Sequence, residues 1–279
     1  MDFIHSSGVQ VIQHLQSNYK DYHDFLNFMS SVGDPRNIFS LYFPLWFQLS
    51  QIVGTKMIWV AVIGDWLNLI FKWILFGHRP YWWVQETHFY QNHSLPQLEQ
   101  FHITCETGPG MLVAEAFEHI PSIHTASFKV YLQTSLFLFS FALSFYFLLK
   151  LIHIDLLWSI SKAKKWCVNP EWIHLDTTPF AGLVRNLGAL FGLGLAINSQ
   201  MFLKSCKDKN SYKTRFKLTC VAATLTTLQL YDLIKVPTHT EVLFYTLSFC
   251  KSAVVPLSVV ALIPYCVHLL IGDSEKRLD

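Results

Sequence analysis

The chain has 279 residues, of which 52% are hydrophobic, 15% aromatic and only 14% charged, with a formal charge of +2. Soluble domains carry about 25% charged residues, so a soluble globular class fits poorly, and 23 Phe, 9 Trp and 11 Tyr exclude a disordered one. The small charge, with no basic groove interleaved by aromatics, argues against nucleic-acid binding. Six scattered cysteines without a C-x-x-C pair suit neither a disulfide scaffold nor a zinc module. An all-α polytopic membrane protein remains.

In chain order, MDFIHSSGVQ shows no basic n-region and no small-residue cleavage site, so no cleaved signal peptide is expected. Residues 25–77 are read as the first two spans. One lies between Phe25 and Val53, its edges blurred by Asp34, Pro35 and Arg36; the other runs from Met57 to Gly77. Residues 78–110 form a long polar loop, and 111–129 a short connection. Residues 130–279 hold four more spans: Val130 to Leu149, Asn186 to Leu203 (starting at Phe180 if Arg185 is tolerated), Leu218 to Tyr231, and Ser252 to Gly272, with the apolar run from Val242 broken only by Lys251. A span needs about 20 mostly apolar residues, so the reading is about six spans in a single membrane domain covering 1–279.

The second span carries Asp65 and Lys72 at membrane depth, and Arg79 follows at its edge. Ionisable groups there are costly and face protein or a watery cavity. A spacing of seven residues returns to nearly one helix face, which predicts a polar stripe; a simple neutralising ion pair is the alternative. The loop that follows contains Asn92-His93-Ser94, an N-x-Ser sequon that predicts glycosylation at Asn92 and a luminal position. Between Leu203 and Leu218 lie Lys204, Lys207, Lys209, Lys213, Arg215 and Lys217 against Asp208 alone. Positive charge marks cytoplasmic loops, so this one is expected in the cytoplasm, on the same side as Lys276 and Arg277.

Lys72 to Pro80, KWILFGHRP, fits Lys-x6-Arg-Pro, the first block of the phosphatidic acid phosphatase and vanadium haloperoxidase superfamily signature. Together with VAVIGDWLNLIFKWILFGHRPYWWV, TCETGPG, WIHLDTTPFAGLVRNLGALFGLGLAIN and LSFCKSAVVPL, it resembles the glucose-6-phosphatase catalytic subunit family along nearly the whole chain. MDFIHSSGVQVIQHLQ, GDPRNIF and His78 within the motif resemble the family's islet-specific branch most. The resemblance implies a helical bundle of that superfamily, residence as a multi-pass protein of the endoplasmic reticulum membrane, hydrolysis of glucose 6-phosphate to glucose and phosphate at a luminal site, and no cofactor. It further implies Lys72 and Arg79 as phosphate ligands, and a glucose-6-phosphate transporter or a full-length homologue as partner.

The superfamily's other two blocks, Pro-Ser-Gly-His and Ser-Arg-x5-His, do not occur in this sequence. Gly108-Pro109-Gly110 is followed instead by MLVAEAFEH, which resembles the end of a much later span, so the sequence reads as having an internal deletion after Gly110, as in an exon-skipped isoform. The family mechanism surrounds the phosphate with two arginines and a lysine, which neutralise charge on the phosphoryl oxygens. One histidine attacks phosphorus and another protonates the leaving oxygen. Only Lys72 and Arg79 carry over; no catalytic residue is intact. His78, His88, His93 and His102 lie in the right loop but read as solvated bystanders. Glu115, Glu118 and His119 lack a matching ligand set on a second helix, so no metal site is expected. The expectation is an inactive isoform; a non-enzymatic protein contacting full-length partners, or a carrier or channel using the charged stripe, are the alternatives.

Orientation adds a conflict. A luminal Asn92 and a cytoplasmic 204–217 loop must be separated by an odd number of crossings, yet two spans lie between them. Met111 to Ser127, with Glu115, Glu118, His119, Pro121 and His124, is too short and polar to supply a third. Conflicted topology, retention in the endoplasmic reticulum and rapid degradation are expected.

Overall fold

The structure, a computed structural model, describes residues 2–32, 37–75, 79–87, 96, 98, 126–154, 158–168, 178–206, 214–234, 236–237 and 240–276. Among these there is no strand. The helices are α1 (Asp2–Asn18), α2 (His23–Val32), α3 (Phe43–Leu49), α4 (Gln51–Leu75), α5 (Pro80–Glu86), α6 (Phe128–Leu151), α7 (Trp158–Trp166), α8 (Pro179–Ile197), α9 (Gln200–Cys206), α10 (Thr214–Leu233), α11 (Glu241–Leu257) and α12 (Ile263–Lys276). A 3-10 turn at Lys20–Tyr22 precedes α2, and π turns at Ile38–Tyr42 and Ser258–Leu262 precede α3 and α12.

Among the described residues, four segments are long and apolar enough to cross a membrane: Gln51–Ile74, Phe128–Leu151, Phe180–Ile197 and Val242–Leu270. This is the expected all-α multi-pass class. The stretch between Phe25 and Val53 is expected to hold a span. Its apolar helical part is Ile38–Leu49, too short at 1.5 Å per residue to cross about 30 Å. Ser50 is extended (φ −147°, ψ 110°) and ends α3. Gly54 then lets α4 pass close to α3, since a Cβ there would stand 2.7 Å from the Phe47 Cα. Leu218 to Tyr231 falls inside α10, where Arg215, Lys217, Asp232 and five threonines make the helix more polar than those four segments. The hydroxyls of Thr219, Thr226 and Thr227 donate back to carbonyls one turn earlier.

The other two spans differ from expectation at their edges. α8 starts before Arg185 and ends at Ile197, because Asn198 Nδ2 donates to Gly194 O (2.8 Å) and Ser199 Oγ accepts from Phe202 N (3.2 Å), closing one helix and capping the next. Lys251 does not interrupt Val242–Leu270, since its Nζ donates to Ile234 O at 2.8 Å. The irregularity falls instead just after Pro256, whose missing N–H loosens the ladder into the π turn. Gln48 Nε2 of α3 donates to Val259 O (3.2 Å), and Tyr231 Oη of α10 pairs with Ser258 Oγ (3.1 Å), so the turn's loosened groups find side-chain partners.

The chain forms two compact units. One comprises 35–67, 111–144 and 180–279. Its core joins α8 to α11 at van der Waals contact: a Cβ on Gly188 would stand 2.5 Å from Phe249 O, and one on Gly192 would run into Ala253 O. Small residues four apart permit such close backbone approach in membranes. Phe191, between them, meets Phe128 and Phe249 at centroid distances of 6.0 and 5.8 Å. Trp66 Nε1 of α4 donates to Leu138 O of α6 (3.0 Å), and Trp59 meets Tyr131 at 5.0 Å.

The other unit comprises 1–34, 68–110 and 145–179. Its centre is the short helix α5, which packs on both sides. Trp83 and Val84 are buried with Val9 of α1, and Trp83 stacks on His5 (5.2 Å, 20°). Trp82 is buried with Ala163 and Cys167, against Trp158 and Trp166.

Candidate functional site

Lys72 occupies the last turn of α4, and its neighbour Trp73 stacks on Phe145 (6.2 Å, 13°) and meets Tyr146 (6.4 Å). Those rings fix the end of the helix that carries the lysine. Arg79 stands outside α4. Its backbone is extended (φ −71°, ψ 145°), because a residue before proline is pushed out of the helical region. Pro80 then occupies the first position of α5, where its missing N–H costs nothing, and Arg79 O accepts from Trp83 N at 2.9 Å. Both cations are half-buried in the same compact unit, and Arg79 Nη2 is shut off from solvent. A lysine gives a point charge and an arginine a planar fork, a pairing suited to a phosphate.

The expected stripe of Asp65, Lys72 and Arg79 is therefore corrected at its end: α4 stops at Leu75, and Arg79 belongs to the start of α5. Asp65 belongs to the other unit and has its own partner within it. Asn186 Nδ2 of α8 donates to its carboxylate, and Gly182, one turn earlier on α8, leaves room for it, with a Cβ there 3.6 Å from Oδ2. Sequence reading missed Asn186, since nothing in the local pattern tied residue 186 to residue 65.

It also missed the polar contact that anchors α5. Glu86, at the end of that helix, accepts from Lys162 Nζ and from Trp166 Nε1 (2.8 Å), both on α7. Burial raises the Glu86 pKa, but the Lys162 and Trp166 hydrogen bonds and the charges of Lys162 and Lys165 outweigh it and hold the carboxyl below its ordinary range. The available signal was the spacing: Trp82 and Glu86 share one face of α5, and Trp158, Lys162 and Trp166 share one face of α7. Cys167, just past α7, packs against Trp82, lies 3.9 Å from Tyr81 Oη and is disulfide-bonded, whereas Cys220, Cys250 and Cys266 are in no disulfide.

Asn92, the histidines 78, 88, 93 and 102, and Glu115, Glu118 and His119 lie outside the described residues. Among the described residues no cluster of His, Cys, Asp or Glu could hold a metal ion.

No protein-family model and no solved structure matches the chain. Curated relatives do. Glucose-6-phosphatase 2 of Mus musculus is 56% identical over 353 residues, and that of Homo sapiens 55%, each covering 99% of this chain and 99% of the relative. Glucose-6-phosphatase catalytic subunit 1 of Canis lupus familiaris is 43% identical over 351 residues, 99% of this chain and 98% of the relative. Identity is higher to glucose-6-phosphatase 2 than to that catalytic subunit 1, in agreement with the branch that the N-terminal segments resemble. The alignment spans 353 positions against 279 residues, so at least 74 of its positions face no residue of this chain. Likeness of this degree over 99% of the sequence leaves one assignment: the chain belongs to the glucose-6-phosphatase family.

Proposed function

We propose that this chain is a shortened glucose-6-phosphatase homologue of the endoplasmic reticulum membrane that keeps a phosphate-binding arm, Lys72 and Arg79, and does not hydrolyse glucose 6-phosphate. The observation that carries the reading is the pairing of two sequence facts. Lys-x6-Arg-Pro is complete, while the blocks that bring the attacking and acid histidines and the second arginine do not occur, and relatives align over at least 74 more positions than the chain has. The break falls between Gly110 and Met111, where an exon-skipped isoform would join. Without a nucleophile there is no covalent phosphoenzyme to divide the reaction into two steps, and two cations alone bind an anion without displacing its leaving group.

The ligand is glucose 6-phosphate or its phosphate group. The sequon at Asn92 and the disulfide at Cys167 support a luminal setting, because bridges persist in oxidising compartments. The surroundings are the endoplasmic reticulum bilayer, and the protein partner is a full-length relative or a glucose-6-phosphate transporter. The deciding experiment is a phosphatase assay on membranes containing this chain, run beside a full-length homologue, with trapping of labelled phosphohistidine. Background turnover with measurable vanadate binding supports the reading; a trapped phosphoenzyme from this chain overturns it.

A further inference from the structure

We propose that Glu86 is a positioning residue for Arg79: by gripping Lys162 and Trp166 it locks α5 onto α7 and so sets where the phosphate arm begins. The inference rests on the reading of Lys72 and Arg79 as phosphate ligands. Arg79 is tied to α5 through its own carbonyl, which accepts from Trp83 N at 2.9 Å, and through Pro80, whose ring fixes the entry angle. Where α5 goes, the arginine's backbone goes.

α5 is two turns long and cannot hold its place by its own propensity. Its position comes from its two flanks. On one, Trp83 lies against His5 and Val9 of α1. On the other, Trp82 and Glu86 are four residues apart, hence on one face, and they meet a matching face of α7 in which Trp158, Lys162 and Trp166 follow at intervals of four. Trp82 meets Trp158 edge-on (6.2 Å, 80°), and Glu86 receives Lys162 Nζ on one oxygen and Trp166 Nε1 on the other. The aromatic contact fixes the separation of the two helices. The carboxylate, bonded through both oxygens, fixes the rotation of α5 about its axis, which directs the arginine.

An exposed ion pair would count for little. This one is mostly shielded, with side-chain exposures of 31% for Lys162 and 21% for Glu86, and has a third partner in Trp166. The α7 side is itself braced: Lys165 Nζ lies 4.6 Å above the Trp166 ring, and Cys167 at the end of α7 is bridged. Residues 76 and 80 positions apart in sequence thus hold one element of the phosphate arm.

The test is binding of orthovanadate and of inorganic phosphate to the full-length form of this chain in detergent. Glu86→Gln keeps size and one acceptor but loses the ion pair, and affinity should fall about three- to tenfold, with the melting curve and the Cys167 bridge retained as proof of folding. The exchange Glu86→Lys with Lys162→Glu re-forms the ion pair but leaves Trp166 Nε1 without its acceptor, and should restore part of the lost affinity; affinity lost at an unchanged melting point is what a merely structural role would not give. Trp166→Phe, which removes the Nε1 hydrogen bond and trims the ring that packs near Trp82, serves if Glu86→Gln does not fold, and should weaken binding in the same direction. Arg79→Ala is the control. If it abolishes binding while Glu86→Gln and Trp166→Phe leave it unchanged, or if the exchanged pair binds no better than the single variants, the positioning role is wrong. If Arg79→Ala itself changes nothing, the phosphate-arm reading fails instead.

Discussion

Asn186 of α8 donates its side-chain amide hydrogen to the Asp65 carboxylate of α4. Asn186 is 7% exposed, and the bond joins two of the four segments long enough to cross a membrane. Asn186→Leu leaves the carboxylate short of its donor at membrane depth and should destabilise the protein by about 1–3 kcal/mol. Asp65→Asn should cost less, since an amide oxygen still accepts. Thermal unfolding in detergent reads both; an Asn186→Leu protein that melts like its parent would remove this bond from the fold's support.

The α8–α11 contact leaves no space for a methyl group at Gly188 or Gly192, where the opposing atoms are backbone and cannot turn aside. Gly192→Ala should be the more damaging, because its clash with Ala253 O is the closer, and overpacking of this kind costs about 1–3 kcal/mol. Gly64→Ala, with nothing within 4 Å, is the matched control and should be neutral or slightly stabilising. Equal melting points for the Gly64 and Gly192 variants would contradict the close approach.

The apolar runs were legible because twenty uncharged residues have few other uses, and the Lys-x6-Arg-Pro spacing was legible because a motif is local. What escaped was pairing across sequence. Asp65 looked like one member of a stripe with Lys72 and Arg79 because periodicity assumes that the helix continues, and Pro80 ends that assumption. The break at Ser50 and the close approach of Gly54 to Phe47 leave no trace in the apolar composition around them. Glu86 and Lys162 give no signal singly; their joint face shows only when the four-residue spacing with tryptophans is laid on both helices at once.

Arg79 and Lys72 should contribute unequally to anion binding. Arg79→Ala removes a two-pronged donor held at the start of α5, and binding of vanadate should be lost. Lys72→Ala removes a point charge and should weaken binding less. Equal losses, or none, in a titration would show that any residual site lies elsewhere.

The ion pair of Glu86 with Lys162 predicts a pH window. Glu86 is held below its ordinary value of 4.5 by Lys162, Trp166 and Lys165 acting against burial. A carboxylate with a depressed folded pKa stabilises fully above its unfolded value and loses that contribution as pH falls through the folded one. The melting-point gap between parent and Glu86→Gln should therefore be constant from pH 7 down to about 5 and close below about 4.5. A gap unchanged down to pH 3 would mean that the charge on Glu86 carries none of it.

The same contact bears on membrane topology. Because Glu86 and Lys162 are bonded, α5 and α7 are expected on one side of the membrane. α6 is long enough to cross once and ends at Leu151, seven residues before α7 begins. Keeping α5 and α7 on one side would then ask one more crossing of the sequence between Thr87 and Phe128. α8 is long enough for a further crossing, and the positive-inside rule places Lys204, Arg215 and Lys217 after it in the cytoplasm. A luminal α5 and a cytoplasmic 204–217 loop are thus compatible, and the whole conflict falls on residues 88–127. That stretch contains Glu99, Glu106, Glu115 and Glu118, and its longest run free of them, His88 to Leu98, is 11 residues. A crossing needs about 20, and a carboxylate at its centre costs roughly 2.5–3.5 kcal/mol. The predicted outcome is two populations. In one, Asn92 is luminal, the Glu86–Lys162 contact forms, and an unfavourable crossing is forced through 88–127. In the other, that crossing fails and the contact never forms. Cysteines at 86 and 162 should be joined by a short thiol crosslinker only in the fraction whose Asn92 glycan is sensitive to endoglycosidase H, and a tag near Lys209 should be protease-accessible from the cytoplasm in that same fraction. Turnover should be faster than that of a full-length homologue. A single, fully glycosylated, fully crosslinkable population with a homologue's lifetime would show that residues 88–127 cross the membrane without penalty and that no conflict exists.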